Sequence, residues 1–195
     1  ARRSGDPKLS GRAKQLLAKV ESGDLRELPD LKTLGASAAK GVADAQYRLG
    51  RVYREGIGVV QDYLKAEIFF RKSAQQGHSL SCYGLGGLYM GGLGVEKDAK
   101  EAHKWWSQAA SQGLTVAQLD MGILLVKGEG VPRDNAKAYM WLTLAARAED
   151  SAVQSRASKM RSELSRVMKG GEILEGLRRA RKFKPVEPRK KPEGK

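Results

Sequence analysis

Apolar residues recur along the middle of the chain at the spacing of an α-helix, and the whole pattern returns every 36 residues. Ala45, Leu49 and Tyr53 follow one another at four-residue steps, which places them on one face of a helix. A Gly-x-Gly-Val segment comes next, and then a second apolar helix face that ends in small residues. No alternation of apolar and polar residues long enough for a strand interrupts this order. The pattern predicts antiparallel helix pairs joined by glycine loops.

Three units repeat in register, and they span 41–76, 77–112 and 113–148. One glycine recurs in register inside each first helix and another in each loop; these are Gly50, Gly86 and Gly122, and Gly58, Gly94 and Gly130. The helix glycine removes a side chain and lets a neighbouring helix approach closely, and the loop glycine supplies a positive φ angle. An aspartate before each second helix provides an N-cap; the three are Asp62, Asp98 and Asp134. The period predicts a stack of three helix hairpins.

Weaker copies of the pattern flank the three units, because end units show one face to water. The N-terminal segment, 1–40, is predicted to contain a degenerate capping hairpin with a first helix at 10–20 and a second at 26–39. After the repeats, two capping helices are predicted within 149–184.

The residues of each unit follow a common order: alanine, Leu-Gly, tyrosine, Gly-x-Gly-Val, aspartate, alanine, an aromatic residue, Ala-Ala and glycine. This order resembles the Sel1-like repeat, a branch of the tetratricopeptide superfamily. The chain departs from it at Ser81, Met121 and Leu125, and Glu149 stands where the terminal glycine would be. The resemblance implies an all-α fold, a right-handed α-solenoid of antiparallel helix hairpins.

The residue types that carry most enzyme chemistry are sparse or poorly placed. The single cysteine, Cys82, excludes a disulfide framework and a zinc site built on cysteine pairs. His78 and His103 are the only histidines, and they stand 25 residues apart on different predicted helices. No Lys-Ser or Lys-Thr follows the glycine loops, which therefore differ from phosphate-binding loops. We expect no catalytic residue, no cofactor and no metal ion, and so no enzyme.

The net charge of +14 is concentrated near the C-terminus. Residues 149–195 hold 14 basic and seven acidic groups, whereas the three repeats together carry only +3. Three prolines break any helix after Lys184, so 185–195 is predicted to be a flexible basic tail. This tail supports an alternative function, the binding of an anionic surface such as nucleic acid or acidic lipid. Nucleic acid is the less expected partner, because the repeats lack the charge that reading RNA along the solenoid would need.

The first helices of a stacked solenoid line a concave surface, which suits an extended peptide or a protrusion of a folded protein. Similarity to tetratricopeptide proteins implies that the partner-binding positions flank the Leu-Gly pair. They are Asp44, Tyr47, Arg51, Arg54, Leu80, Tyr83, Met90, Leu119 and Ile123. This surface grades from charged to apolar, so the expected partner is a protein that offers an acidic group beside an apolar one, rather than a small-molecule substrate. Whether the C-terminal helices cover the apolar end stays open.

The expected function is that of a non-enzymatic scaffold or adaptor for protein–protein interaction. The resemblance implies roles in bacterial envelope, secretion and signalling pathways, and some family members act as immunity proteins that sequester a toxin. The chain begins with Ala1 and shows no cationic stretch followed by an apolar run, as after removal or trimming of a leader, so the compartment, periplasm or cytoplasm of a bacterium, stays open. The longest uncharged stretch, 77–95, holds seven glycines, and no transmembrane segment is predicted there.

Overall fold

The computed structural model describes residues 31–187, and all regular structure within them is α-helical. This part of the chain contains nine helices: α1 (Leu31–Ala39), α2 (Ala43–Glu55), α3 (Tyr63–Ala74), α4 (Ser79–Gly91), α5 (Ala99–Ser111), α6 (Thr115–Lys127), α7 (Asn135–Ala145), α8 (Ser151–Ser165) and α9 (Gly170–Lys182). From α1 to α8, each helix packs against the next one along the chain. The predicted all-α solenoid of helix hairpins is confirmed.

The repeated glycines and aspartates mark the helix ends in the three hairpins α2–α3, α4–α5 and α6–α7. Each first helix ends at a glycine in the left-handed region, with φ angles of 68°, 63° and 73° at Gly56, Gly92 and Gly128. The loop glycines two residues further on also have positive φ angles. Before each second helix, the side chain of the aspartate accepts a hydrogen bond from a backbone N–H of the first helical turn. The chain reversal is therefore fixed by local chemistry in every unit.

Replacing Asp98 by alanine should lower the free energy of unfolding by about 1 kcal/mol. The reason is that Asp98 Oδ1 accepts hydrogen bonds from the N–H groups of Lys100, at 2.8 Å, and Glu101, at 3.1 Å. Asp98→Asn keeps the side-chain acceptor and serves as the matched control. Urea unfolding measures both variants, and an equal loss in the two would contradict a capping role.

The helix glycines make room for large side chains of the second helices. The pairs are Gly50 with Phe70, Gly86 with Trp106, and Gly122 with Leu142. A Cβ atom at Gly50, for example, would lie 2.6 Å from Cδ1 of Phe70, closer than side chains pack. The large residue of each pair is buried in the core. Glycine at these positions is thus what allows the two helices of a hairpin to interdigitate.

The N-terminal capping unit is described only in part. Helix α1 packs on α2 and coincides with the part of the helix expected at 26–39 that the structure describes; 26–30 lie outside the described residues. Its Leu34 and Ala38 are buried in an apolar cluster with Leu49. The first helix of this hairpin, expected at 10–20, lies outside the described residues.

The two C-terminal helices do not form a further hairpin. Helix α8 packs on both α6 and α7, as the first helix of a fourth unit would, and its Val153 and Ala157 are buried. Helix α9 packs on α7 instead of completing that unit. A Cβ atom at Gly176 would lie only 2.8 Å from the carbonyl oxygen of Ala136, so the absence of a side chain lets α9 lie close to α7.

The residues after α9 lead back towards α5. The ring of Phe183 meets Trp141 edge to face, with 5.6 Å between the ring centroids. The N–H of Val186 donates a hydrogen bond of 2.8 Å to the carbonyl oxygen of Ser111. The first residues of the predicted tail, 185–195, therefore contact the solenoid, and 188–195 lie outside the described residues.

Candidate partner-binding face

Helices α2, α4 and α6 present equivalent residues at 36-residue steps, and their outward residues form what we call the first-helix face. Eight of the nine predicted contact residues are at least partly accessible: Asp44 and Leu80 are exposed, and Tyr47, Arg51, Arg54, Tyr83, Met90 and Ile123 are partly exposed. Side chains link neighbouring helices across this face. Tyr47 of α2 stacks on His78 at the start of α4, with 4.7 Å between the ring centroids.

Leu119 is the exception, because only 4% of its surface is exposed. Helix α8 packs on α6 beside it, and Leu119 shares with Val153 of α8 the wall of a pocket of about 210 Å³. The prediction of Leu119 as a partner contact is therefore corrected: the next helix of the solenoid covers this position. Ile123, one turn further along α6, keeps part of its surface open.

The α2 end of the face carries two arginines that share one carboxylate. Arg51 Nε and Arg54 Nη2 lie 3.4 Å and 2.7 Å from Oε1 of Glu55. Burial alone would raise the pKa of Glu55, but the hydrogen bonds from Arg54 and Arg51 outweigh it and hold the pKa below its usual value. The side chains of Arg51 and Arg54 remain 40% and 34% exposed. Among residues 31–187, these two guanidinium groups thus outnumber the carboxylate that they share, on an accessible part of the face.

Asp120 is a half-buried carboxylate in the middle of the molecule. The hydroxyl of Tyr83 donates a hydrogen bond of 2.8 Å to its Oδ2 atom. Burial raises the pKa of Asp120, against the opposing effects of this hydrogen bond and of the nearby Arg156. Burial also raises the pKa of Tyr83, so its hydroxyl stays a donor at neutral pH. The ring of Tyr83 stacks on Trp106, whose Nε1–H donates to the carbonyl oxygen of Tyr83 at 3.1 Å.

We expect Asp120→Asn to raise the melting temperature at pH 7. An acid whose pKa is raised by folding contributes stability that is fully present below its unfolded pKa and is lost as the pH rises through the folded pKa. The ionised Asp120 therefore costs stability at pH 7, whereas asparagine still accepts the Tyr83 hydrogen bond and is never charged. The gain should shrink between pH 7 and pH 4 in thermal melts, and an equal gain at both pH values would contradict this account.

Sequence reasoning missed Asp120 and Arg156. The residues one and two periods before Asp120 are Gly84 and Arg48, so no residue type repeats at this position and the period gave no signal. The environment of Asp120 could not be read from the sequence, because Tyr83 and Arg156 come from two other helices.

Two further side chains of reactive type, Cys82 and His78, occupy positions in which they serve the fold. Cys82 is fully buried, and burial raises the pKa of its thiol to about 12. The Nδ1 atom of His78 accepts the N–H of Ser81 at 3.3 Å and so caps α4. Residues 31–187 contain no group of three His, Cys, Asp or Glu side chains placed to hold a metal ion. Within the same part of the chain, no helix combines the length and the apolar character needed to cross a bilayer.

Stacked helix hairpins with an open face of repeated positions define an α-solenoid repeat protein. The family model of the Sel1 repeat matches residues 43–78, 79–114 and 115–150. These matches cover more than half of the chain, which therefore belongs to the Sel1 repeat family. They begin two residues after the units predicted from the glycine period. Proteins of this family generally mediate protein–protein interactions and are typically non-enzymatic scaffolds.

Two solved structures show the same fold. A Sel1 repeat protein from Oxalobacter formigenes is 26% identical with a TM-score of 0.64, over 75% of this chain and 60% of that protein. The protein c5321, a protective antigen of uropathogenic Escherichia coli with an SLR fold, is 24% identical with a TM-score of 0.59, over 89% of this chain and 45% of that protein. This chain thus spans less than two thirds of either protein. A search of curated proteins gave no match.

Proposed function

We propose that this chain is a non-enzymatic scaffold that binds a protein partner on its first-helix face. The observation that carries the proposal is the combination, on one accessible surface, of an unbalanced pair of arginines with aromatic and apolar side chains. Arginine and tyrosine are the residues most often responsible for binding energy at protein interfaces. Because equivalent residues are stacked one period apart, the face can contact a partner along several helices at once.

The two ends of the face select different groups of the partner. Arg51 and Arg54 share the single carboxylate of Glu55, so a carboxylate of the partner would balance the remaining charge. Away from the arginines, Met90 on the middle helix α4 and Ile123 on α6 offer partly exposed apolar surface beside the main core. A segment that carries an acidic residue next to an apolar residue, in an extended conformation, would satisfy both ends.

We further propose a bacterial role for the chain. The similar Sel1 repeat protein comes from Oxalobacter formigenes, which supports a bacterial origin. A binding face without catalytic chemistry suits an adaptor in an envelope or secretion pathway, in the periplasm or the cytoplasm. It also suits sequestration of a toxin by an immunity protein, since both tasks need only tight binding.

Selection from a random peptide display library on the immobilised chain tests the proposed function. Enriched peptides should contain Asp or Glu close to an apolar residue. A photo-crosslinking group placed in such a peptide should label α2, α4 and α6, and mass spectrometry would locate the labels. Labels confined to the basic end of α9, or lysine-rich peptides, would contradict the proposal.

A further inference from the structure

Gly87 stands in the middle of α4 and is exposed on the first-helix face. Among residues 31–187, no other atom lies within 4 Å of the position that a Cβ atom at Gly87 would take. Its neighbours differ, because a Cβ at Gly84 would lie 3.0 Å from Phe70 and one at Gly86 would overlap Trp106. The fold therefore explains the other two glycines and leaves Gly87 without a packing reason.

The backbone gives no reason for glycine either. Gly87 is helical and is not among the glycines with positive φ, so any residue could adopt its conformation. Glycine is the least favourable residue in a helix interior after proline, because it loses the most conformational freedom on folding. At this exposed position the chain keeps a residue that weakens α4.

The missing side chain leaves the backbone of α4 exposed at the centre of the face. Arg51 and Ile123 occupy the equivalent positions of α2 and α6, one period to either side of Gly87. Along α4 itself, Tyr83 and Met90 stand four residues before and three residues after Gly87, on the same side of the helix. In the order of the repeats, Gly87 therefore stands between a cation and an apolar side chain.

We infer that Gly87 is the point at which the partner comes closest to the solenoid. An extended partner segment crosses α4 with its backbone against Gly87, a carboxylate towards Arg51 and an apolar side chain towards Ile123. This inference rests on the proposed function and specifies how the same face recognises its partner. Within the described residues the arginine pair shares the carboxylate of Glu55, and its positive charge selects an acidic segment over a basic one.

Gly87→Ala tests the inference, with Gly35→Ala as the matched control. Gly35 is also helical, and within the described part of the chain it also has no atom within 4 Å of a Cβ position, but it lies on α1, away from the face. Both changes should raise Tm by about 2 °C, because alanine favours a helix. Only Gly87→Ala should weaken the binding of the peptides enriched from the display library, by tenfold or more in Kd.

The outcomes separate this inference from the proposed function. If Gly87→Ala binds the peptides as tightly as the unmodified chain, while a charge reversal of Arg51 and Arg54 removes binding, the inference about Gly87 is wrong and the proposed function stands. If Gly87→Ala lowers Tm, the glycine serves the fold and the inference is also wrong. If no peptide is enriched, both fail.

Discussion

Gly86→Leu is expected to lower the free energy of unfolding by about 3 kcal/mol or more. The space beside Gly86 is filled by the indole of Trp106, which is only 8% exposed. The indole cannot move aside freely, because its Nε1–H donates to the carbonyl oxygen of Tyr83 at 3.1 Å. A larger side chain must therefore displace α5 from α4 or break this hydrogen bond. Chemical unfolding monitored by circular dichroism measures the loss.

The neighbouring residue supplies the control for this prediction. Gly87→Leu introduces the same side chain into the same helix one position further on, where a Cβ atom meets nothing. Its effect on stability should stay within about 1 kcal/mol and be favourable, as helix propensity alone requires. Similar melting temperatures for the two variants would show that the close contact between Gly86 and Trp106 does not limit the packing of the hairpin.

The parts of the fold that the sequence predicts are those that local chemistry determines. A cap such as Asp98 needs only the backbone N–H groups of the next turn, and a helix end such as Gly92 needs only a residue that accepts a positive φ angle. These requirements recur every 36 residues, so each unit supports the interpretation of the others. The helix boundaries and the hairpin order could therefore be predicted without a structure.

The parts that could not be predicted depend on helices far apart in the sequence. Leu119 stands one period after Tyr83, which is partly exposed, but α8 packs on α6 and buries Leu119. The glycine at 176 gives no sign in the sequence that α9 will pack on α7 rather than pair with α8. The same holds for Asp120, whose raised pKa follows from burial. The 36-residue period and the helix propensities of the residues predict contacts within one repeat and with the repeats next to it. They do not predict how the C-terminal helices pack, because these helices do not follow the repeat.

Reversing the charges of Arg51 and Arg54 together, as Arg51→Glu with Arg54→Glu, should weaken binding of the enriched peptides about 100-fold, which corresponds to about 3 kcal/mol. The reason is that the change replaces two guanidinium groups by carboxylates beside Glu55, so an acidic partner segment meets repulsion where it had an ion pair. Both side chains are partly exposed, so the helix content should be preserved. Isothermal titration calorimetry measures the affinity, and circular dichroism checks the fold.

The matched control reverses two charges away from the first-helix face, as Lys72→Glu with Lys104→Glu. Lys72 is exposed on α3, and the side chain of Lys104 on α5 is 66% exposed, so the net charge changes equally on second helices while the face stays intact. A site on the face predicts a large loss for the first pair and a small one for the second. The alternative, an anionic surface bound through the basic C-terminus, predicts small losses for both pairs and a large, salt-dependent loss when 188–195 are removed. Because tail removal leaves the contact between Val186 and Ser111 in place, that last result would assign binding to the tail and refute the first-helix face.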